Sequence, residues 1–276
     1  MPVSFKVFSS GYCVAGQHHA QRGAKAKKIR FYATWALIQH PQHGNILFDT
    51  GYAQRFHTVS ATWPEKIYAL LTPVTLAPEE EAHFQLSQQG IKPEVIDWIV
   101  ISHFHADHIA GLADFPNAKF ICSDTAWNDV KNTRGIKALK KGFLPALLPS
   151  DFENRLHTFS FSDSSEVHPQ LGPMVDVFRD KSIQLCSLSG HAKGMIGALL
   201  DSSPSVLLAS DAAWLKENLE GKLPHPIVRL FFDSWTDFKD SLDKVRAFHK
   251  ANPEALIIPC HCEATYRHLQ TLGYAI

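Results

Sequence analysis

The sequence predicts a single α/β domain over residues 1–276, and three observations carry that expectation. Strand-like and helix-like runs interleave along the whole chain, as they do where helices pack on sheets. No repeat, low-complexity tract or linker interrupts them. The hydrophobic share is 45%, enough for a sizeable core.

The elements follow in order. The start, Met-Pro-Val-Ser-Phe-Lys-Val-Phe, alternates like a first strand and lacks the basic-then-apolar pattern of a signal peptide, so a cytoplasmic protein is expected. Residues 29–40 (IRFYATWALIQH) are β-branched and aromatic; Pro41-Gln42-His43-Gly44 supplies turn residues, and 45–48 returns as a short strand. That hairpin ends in Asp49-Thr50-Gly51. Helices are expected over 63–71 and 78–89, the second opened by Pro-Glu-Glu-Glu. Residues 97–102 (DWIVIS) read as a strand, as do 119–122, 182–188, 195–200 and 205–209. In 234–249, Trp235, Phe238, Leu242, Val245 and Phe248 recur at helical spacing. A strand over 255–259 and a C-terminal helix finish the chain. Residues 123–165 and 212–233 have the weakest periodicity and are expected to be loops or lids.

Composition narrows the function classes. Lys+Arg and Asp+Glu both number 27, a balance that argues against a nucleic-acid partner. The short basic run at 25–28 reads as a solvated loop. No apolar run approaches the ~20 residues of a membrane span. Five cysteines (Cys13, Cys122, Cys186, Cys260 and Cys262) are scattered, odd in number and without a Cys-x-x-Cys pair, which argues against a disulfide framework or zinc knuckle. Three of them lie in or beside apolar runs and read as small buried hydrophobes. Histidine is the outlier, with sixteen copies.

Five apolar runs each deliver a metal-binding residue type at the carboxyl end, where open α/β sheets place their ligands. The residues delivered are Asp49; His103, His105, Asp107 and His108; His191; Asp211; and Cys260-His261. His and Asp are common ligands of zinc and related ions. Residues two apart on an extended segment face the same way, so His103 and His105 can hold one ion. A turn into helix would aim Asp107 and His108 at a second, and Asp211 is the free carboxylate able to be shared. Such a cluster within six residues has no structural motive without a cation. The remaining histidines, His40 and His43 among them, read as surface or core side chains.

The ordered set His103-x-His105-x-Asp107-His108, then His191, Asp211 and His261, resembles the signature of the metallo-β-lactamase superfamily, across nearly the whole chain. The resemblance implies a four-layer αββα sandwich with the site at one edge. It places His103, His105 and His191 on a first metal, Asp107, His108 and His261 on a second, and Asp211 between them. Asp49 becomes a candidate to orient a ligand histidine. Residues 35–51 are similar to the branch that includes N-acyl homoserine lactonases. Those enzymes typically carry a tyrosine three residues after the shared aspartate, whereas this chain has Trp214, a candidate pocket residue with an indole donor but no phenol.

The resemblance implies two divalent ions, zinc first, with iron, manganese or cobalt also compatible with such ligands. Spaced ~3.5–4 Å apart, they would generate a bridging hydroxide at neutral pH, with Asp107 and Asp211 as the catalytic carboxylates. The first expectation is hydrolysis of an ester, thioester or lactone of a small apolar molecule. Trp63, Tyr68, Trp127, Trp214, Phe231, Phe232 and Trp235 are candidate pocket aromatics. The alternatives are a phosphodiesterase or organophosphate hydrolase on the same metals, and a slow-turnover ligand sensor.

Overall fold

The computed structural model describes residues 2–276. Among them, a seven-stranded sheet is built from β1 (Ser4–Gly16), β2 (Lys28–His40), β3 (Gly44–Phe48), β4 (Val74–Thr75), β5 (Ile96–Val100), β6 (Lys119–Ser123) and β7 (Leu156–Phe159), in the order β4-β1-β2-β3-β5-β6-β7. A six-stranded sheet contains β8 (Glu166–His168), β9 (Gly172–Asp176), β10 (Ile183–Ser187), β11 (Ile196–Leu200), β12 (Val206–Leu208) and β13 (Leu256–Ile258), in the order β13-β12-β11-β10-β9-β8. Both sheets are mixed. β3, β5, β6 and β7 run parallel, as do β12 and β13, and the other pairings are antiparallel.

The layers follow from alternation along the strands. Ala36, Ile38, Ile46, Phe48, Val100 and Ile121 face Ile183, Leu185, Ile196, Ala198, Val206 and Ile258 across the space between the sheets. Their neighbours Trp35, Leu47, Ile99 and Phe120 point the other way, into a core covered by the outer helices on that side. On the second sheet, Leu207 and Ile257 turn outward to meet Val245 and Phe248 of the Trp235–Ala251 helix. The result is an αββα sandwich.

The helix Trp235–Ala251 has the predicted start: the Ser234 hydroxyl accepts from the Asp237 N–H. No helix among the described residues is long and apolar enough to cross a membrane. Three expectations need correction. Residues 123–165 are not plain loop: they contain the helices Asp124–Val130 and Gly135–Leu139 and the edge strand β7. Likewise 212–233 contains the short helix Lys216–Leu219 and a 3₁₀ segment, Pro226–Phe231. Helices this short show two turns of apolar repeat at most, so their periodicity is weak in sequence. The expected helix over 63–71 begins later, as Lys66–Leu71, behind Trp63-Pro64.

Candidate metal centre

The carboxyl ends of β3, β5, β10, β12 and β13 open on one edge of the sandwich. After β5 the chain stays extended through His105, then enters the single-turn helix Ala106–Ile109. That change of backbone sends His103 and His105 one way and Asp107 and His108 another. Two groups of donor atoms result, each within 4.8 Å of one another: His103, His105, His191 and Asp211, and His108, Asp211, Cys260 and His261. Asp211 belongs to both.

Distances define the first group. His191 Nε2 is 2.9 Å from His105 Nδ1 and 2.9 Å from Asp211 Oδ2. His103 Nε2 is buried without a hydrogen-bond partner. In the second group, His108 Nε2 is 3.5 Å from Asp211 Oδ1, and His261 Nε2 is 3.2 Å from Asp211 Oδ2. Asp107 stands just outside it, its Oδ2 3.7 Å from both His108 Nε2 and His261 Nε2.

A surrounding layer fixes these rings. Asp49 takes a left-handed backbone (φ 61°) and aims both carboxylate oxygens inward. Its Oδ1 accepts from the Ser102 N–H at 2.8 Å, and its Oδ2 accepts from the Ser102 hydroxyl at 2.7 Å and from His108 Nδ1 at 2.7 Å. The network therefore assigns the His108 proton to Nδ1 and leaves Nε2 free for the site. Ser102 Oγ lies 3.0 Å from His103 Nδ1, and His261 Nδ1 donates to the Tyr32 carbonyl at 2.6 Å. The Trp214 indole N–H donates to Asp211 Oδ2 at 3.2 Å, which puts the residue in the site.

Electrostatics divides the histidines. Burial, reinforced by neighbouring imidazoles, holds His103 and His105 well below the usual pKa, in the neutral form that binds metal. Burial opposes protonation of His108 and His261 too. There it is outweighed, for His108 by Asp107 and Asp49 and for His261 by Cys260 and Asp211, so both rise well above the usual value. Burial would raise Asp211, but His261, His191 and hydrogen bonds from His108 and His191 hold it well below the carboxylate range. The imidazoles of His108, His191 and His261 thus surround this buried carboxylate. The orphaned His103 Nε2 and the convergent donors fit divalent ions in the same place.

A cavity of about 420 Å³ opens onto His105 and His191, walled by Phe104, Phe231 and Phe232. Of the other aromatics put forward from sequence, Trp63 is exposed, Trp127 packs on Phe104 and Phe152, Trp235 stacks on Phe238, and Tyr68 packs against the core. None of these four lines the cavity. Lys137, Lys140, Lys141 and Lys193 also border it, against Asp129 and Asp233. Sequence reasoning missed this cationic border, because Lys193 joins Lys137, Lys140 and Lys141 only through the fold. Cys260, delivered beside His261 in the sequence but given no ligand role there, turns its thiol to Asp211.

The model of the Metallo-beta-lactamase superfamily matches residues 29–261. An N-acyl homoserine lactonase of Bacillus cereus is 27% identical over 199 residues, covering 69% of this chain and 68% of that protein. An N-acyl homoserine lactonase of Bacillus thuringiensis is 23% identical over 217 residues, 78% of each. A solved structure of an N-acyl homoserine lactone hydrolase, with the product N-hexanoyl-L-homoserine at its catalytic metal centre, aligns at a TM-score of 0.71. It is 20% identical and covers 97% of each chain. AidC, a dizinc quorum-quenching lactonase, aligns at 0.62 with 17% identity, covering 95% of this chain and 88% of its own. Since the matched segment takes in both donor groups, the chain belongs to the metallo-beta-lactamase superfamily, as a metal-dependent hydrolase with lactonase-like relatives.

Proposed function

We propose that this chain hydrolyses small esters, thioesters or lactones at a two-metal site, with zinc as the first candidate metal. The observation that carries the reading is the cavity, which joins an apolar wall of phenylalanines to the half-buried His105 and the buried His191. His103, His105 and His191 would hold one ion, His108 and His261 a second with Asp107 beside them, and Asp211 both. Two such ions supply hydroxide at neutral pH and polarise the scissile carbonyl.

The chain's own groups do the rest. Asp49, Ser102 and the Tyr32 carbonyl hold the imidazoles in the tautomers the site needs. Asp107, less buried than Asp211, takes a proton from the attacking water and returns it to the leaving oxygen. Phe104, Phe231 and Phe232 lodge the apolar part of the substrate and exclude water. The Trp214 indole holds Asp211 Oδ2, so it steadies the shared carboxylate rather than replacing a phenol.

The lysine border supports a second reading, a phosphodiester or other anionic substrate drawn to the cavity mouth. A panel of aryl esters, acyl lactones including N-acyl homoserine lactones, acyl thioesters and aryl phosphodiesters, each with and without chelator, separates the two. Carbonyl substrates are expected to turn over, and His103→Ala and Asp211→Ala to abolish turnover. Full activity in metal-stripped protein sinks both readings, and silence on all four classes favours the sensor. Preference for phosphodiesters, lost in a Lys140→Glu/Lys193→Glu variant that still cleaves neutral esters, moves the assignment to the second reading.

A further inference from the structure

The cavity beside the first donor group has two kinds of wall, and the chain brings both up to the donors. Phe232 sets its ring 4.9 Å from the His191 ring, centroid to centroid and nearly perpendicular. With Phe104 and Phe231 it makes the apolar side. The charged side comes from the two segments that adjoin His105 and His191. Lys193 lies two residues beyond His191. Lys140 and Lys141 lead into Gly142, whose backbone packs on the His105 ring so closely that a Cβ would not fit. Lys137 sits one turn earlier, on the helix Gly135–Leu139.

Both segments are pinned to one helix, so their placement is fixed. The Ser123 hydroxyl, which caps the helix Asp124–Val130, donates to the Gly194 carbonyl at 2.6 Å. From the same helix Asp129 accepts from Lys141 Nζ on both oxygens, at 2.7 and 2.6 Å. That pair neutralises one lysine and one aspartate. Among the described residues, Lys137, Lys140 and Lys193 form no ion pair, and Asp233 is the only other acid on the border. Three free ammoniums against one carboxylate leave an excess of two positive charges, in a chain whose Lys+Arg and Asp+Glu both number 27. A cleft lined by one sign of charge beside low-dielectric rings concentrates ions of the other sign.

The proposed reaction also decides which end of a substrate lies here. Asp107, beside the second donor group, returns its proton to the leaving oxygen, so the acyl part takes the side of the first group, where the cavity opens. We propose that the enzyme selects acyl groups that end in an anion, a carboxylate or a phosphate. The apolar stem lies along Phe104, Phe231 and Phe232, and the charge meets Lys137, Lys140 and Lys193. The inference rests on the carbonyl-hydrolase reading above and names the substrate class for it; half-esters and half-thioesters of dicarboxylic acids are its simplest members. The three lysines then set specificity at the far end of the substrate and do not touch the reacting atoms.

The test uses the full chain loaded with zinc, on nitrophenyl hexanoate, the nitrophenyl half-ester of adipate and a hexanoate ester ending in phosphate. At low salt, kcat/KM is expected to be about tenfold higher for an anionic ester than for the neutral one, mostly through KM, because exposed charge pairs contribute modestly apiece. The larger of the two gains names the preferred anion. The gain should disappear as ionic strength rises from about 0.01 M to 1 M and the Debye length falls from about 30 Å to 3 Å. That series needs no variant. In Lys137→Met/Lys140→Met/Lys193→Met the preference is expected to vanish; each rate is divided by the hexanoate rate of the same protein, so a general loss of activity does not mimic the effect. Equal kcat/KM on all three esters at low salt, or a gain that survives high salt or the triple variant, overturns the proposal and keeps the hydrolase reading. Absence of metal-dependent cleavage of any of the three discards both.

Discussion

Single residues show how tightly the centre depends on groups that touch no substrate. Asp49 takes a left-handed backbone and satisfies Ser102 and His108 with its two oxygens. Asp49→Ala is expected to weaken metal binding about 10–100-fold, measured by competition against a chromophoric chelator; unchanged affinity would remove Asp49 from this role. Gly142 acts by closeness instead. It has φ 62°, and a Cβ there would lie 2.4 Å from the His105 ring. Gly142→Ala is therefore expected to displace His105 and lower the metal content from two ions toward one, as read by elemental analysis. The contiguous cluster His103–His108 was legible because it is local. Gly142, Cys260 and the lysine border were not, since each matters only through a neighbour distant in sequence. Cys260 was hidden further by its chemistry, as a lone cysteine beside an apolar strand looks like a small hydrophobe.

At the scale of elements, two of the histidines left without a role in sequence turn out to differ. His40, at the end of β2, is buried and accepts the Gln42 and His43 backbone N–H groups at Nδ1. Its Nε2 is thereby left to donate to Asp180, 2.9 Å away in the turn between β9 and β10, which clasps one sheet to the other. His43 stacks on Phe178 beside it. Burial acts to raise the Asp180 carboxyl, but the Ser182 hydroxyl and N–H and His40 outweigh it, lowering its pKa from 3.8 to about 2. Its stabilisation is thus fully present above the unfolded value and is lost as pH falls through the folded one. Asp180→Asn is expected to cost about 1 kcal/mol near neutrality after discounting for solvent at a partly exposed side chain. The gap from wild type should close between pH 4 and pH 2 in denaturant titrations. A gap independent of pH would show that the clasp does not act through this charge. The strands with clear alternation, 29–40 and 182–188, were readable within a residue or two. β8 and β9 were not, because their exposed Val167 and turn-rich surroundings carry little apolar pattern.

Across the whole molecule, the two donor groups draw on both sheets. His103, His105, Asp107 and His108 follow β5 of the first sheet, while His191, Asp211, Cys260 and His261 follow strands of the second. Metal bound there stabilises only the assembled sandwich, by about 2.7 kcal/mol per site at free metal a hundredfold above Kd. Removing it with chelator is expected to lower the melting temperature by at least about 5 °C, followed by calorimetry at fixed pH; an unchanged Tm would contradict a centre shared between sheets. The αββα layering was legible only through the family motif. Local pattern gives the strands but not their order, which depends on long-range pairings such as β12 with β13.

That division of donors also imposes a sequence of events in time. The first half of the chain carries three imidazoles and a carboxylate, yet it lacks the partners that arrive only after residue 190. Metal capture at full affinity must therefore follow the docking of the two halves, and in refolding it should lag behind secondary structure. A chain interrupted before His261 lacks a donor of the second group, so its centre cannot be complete.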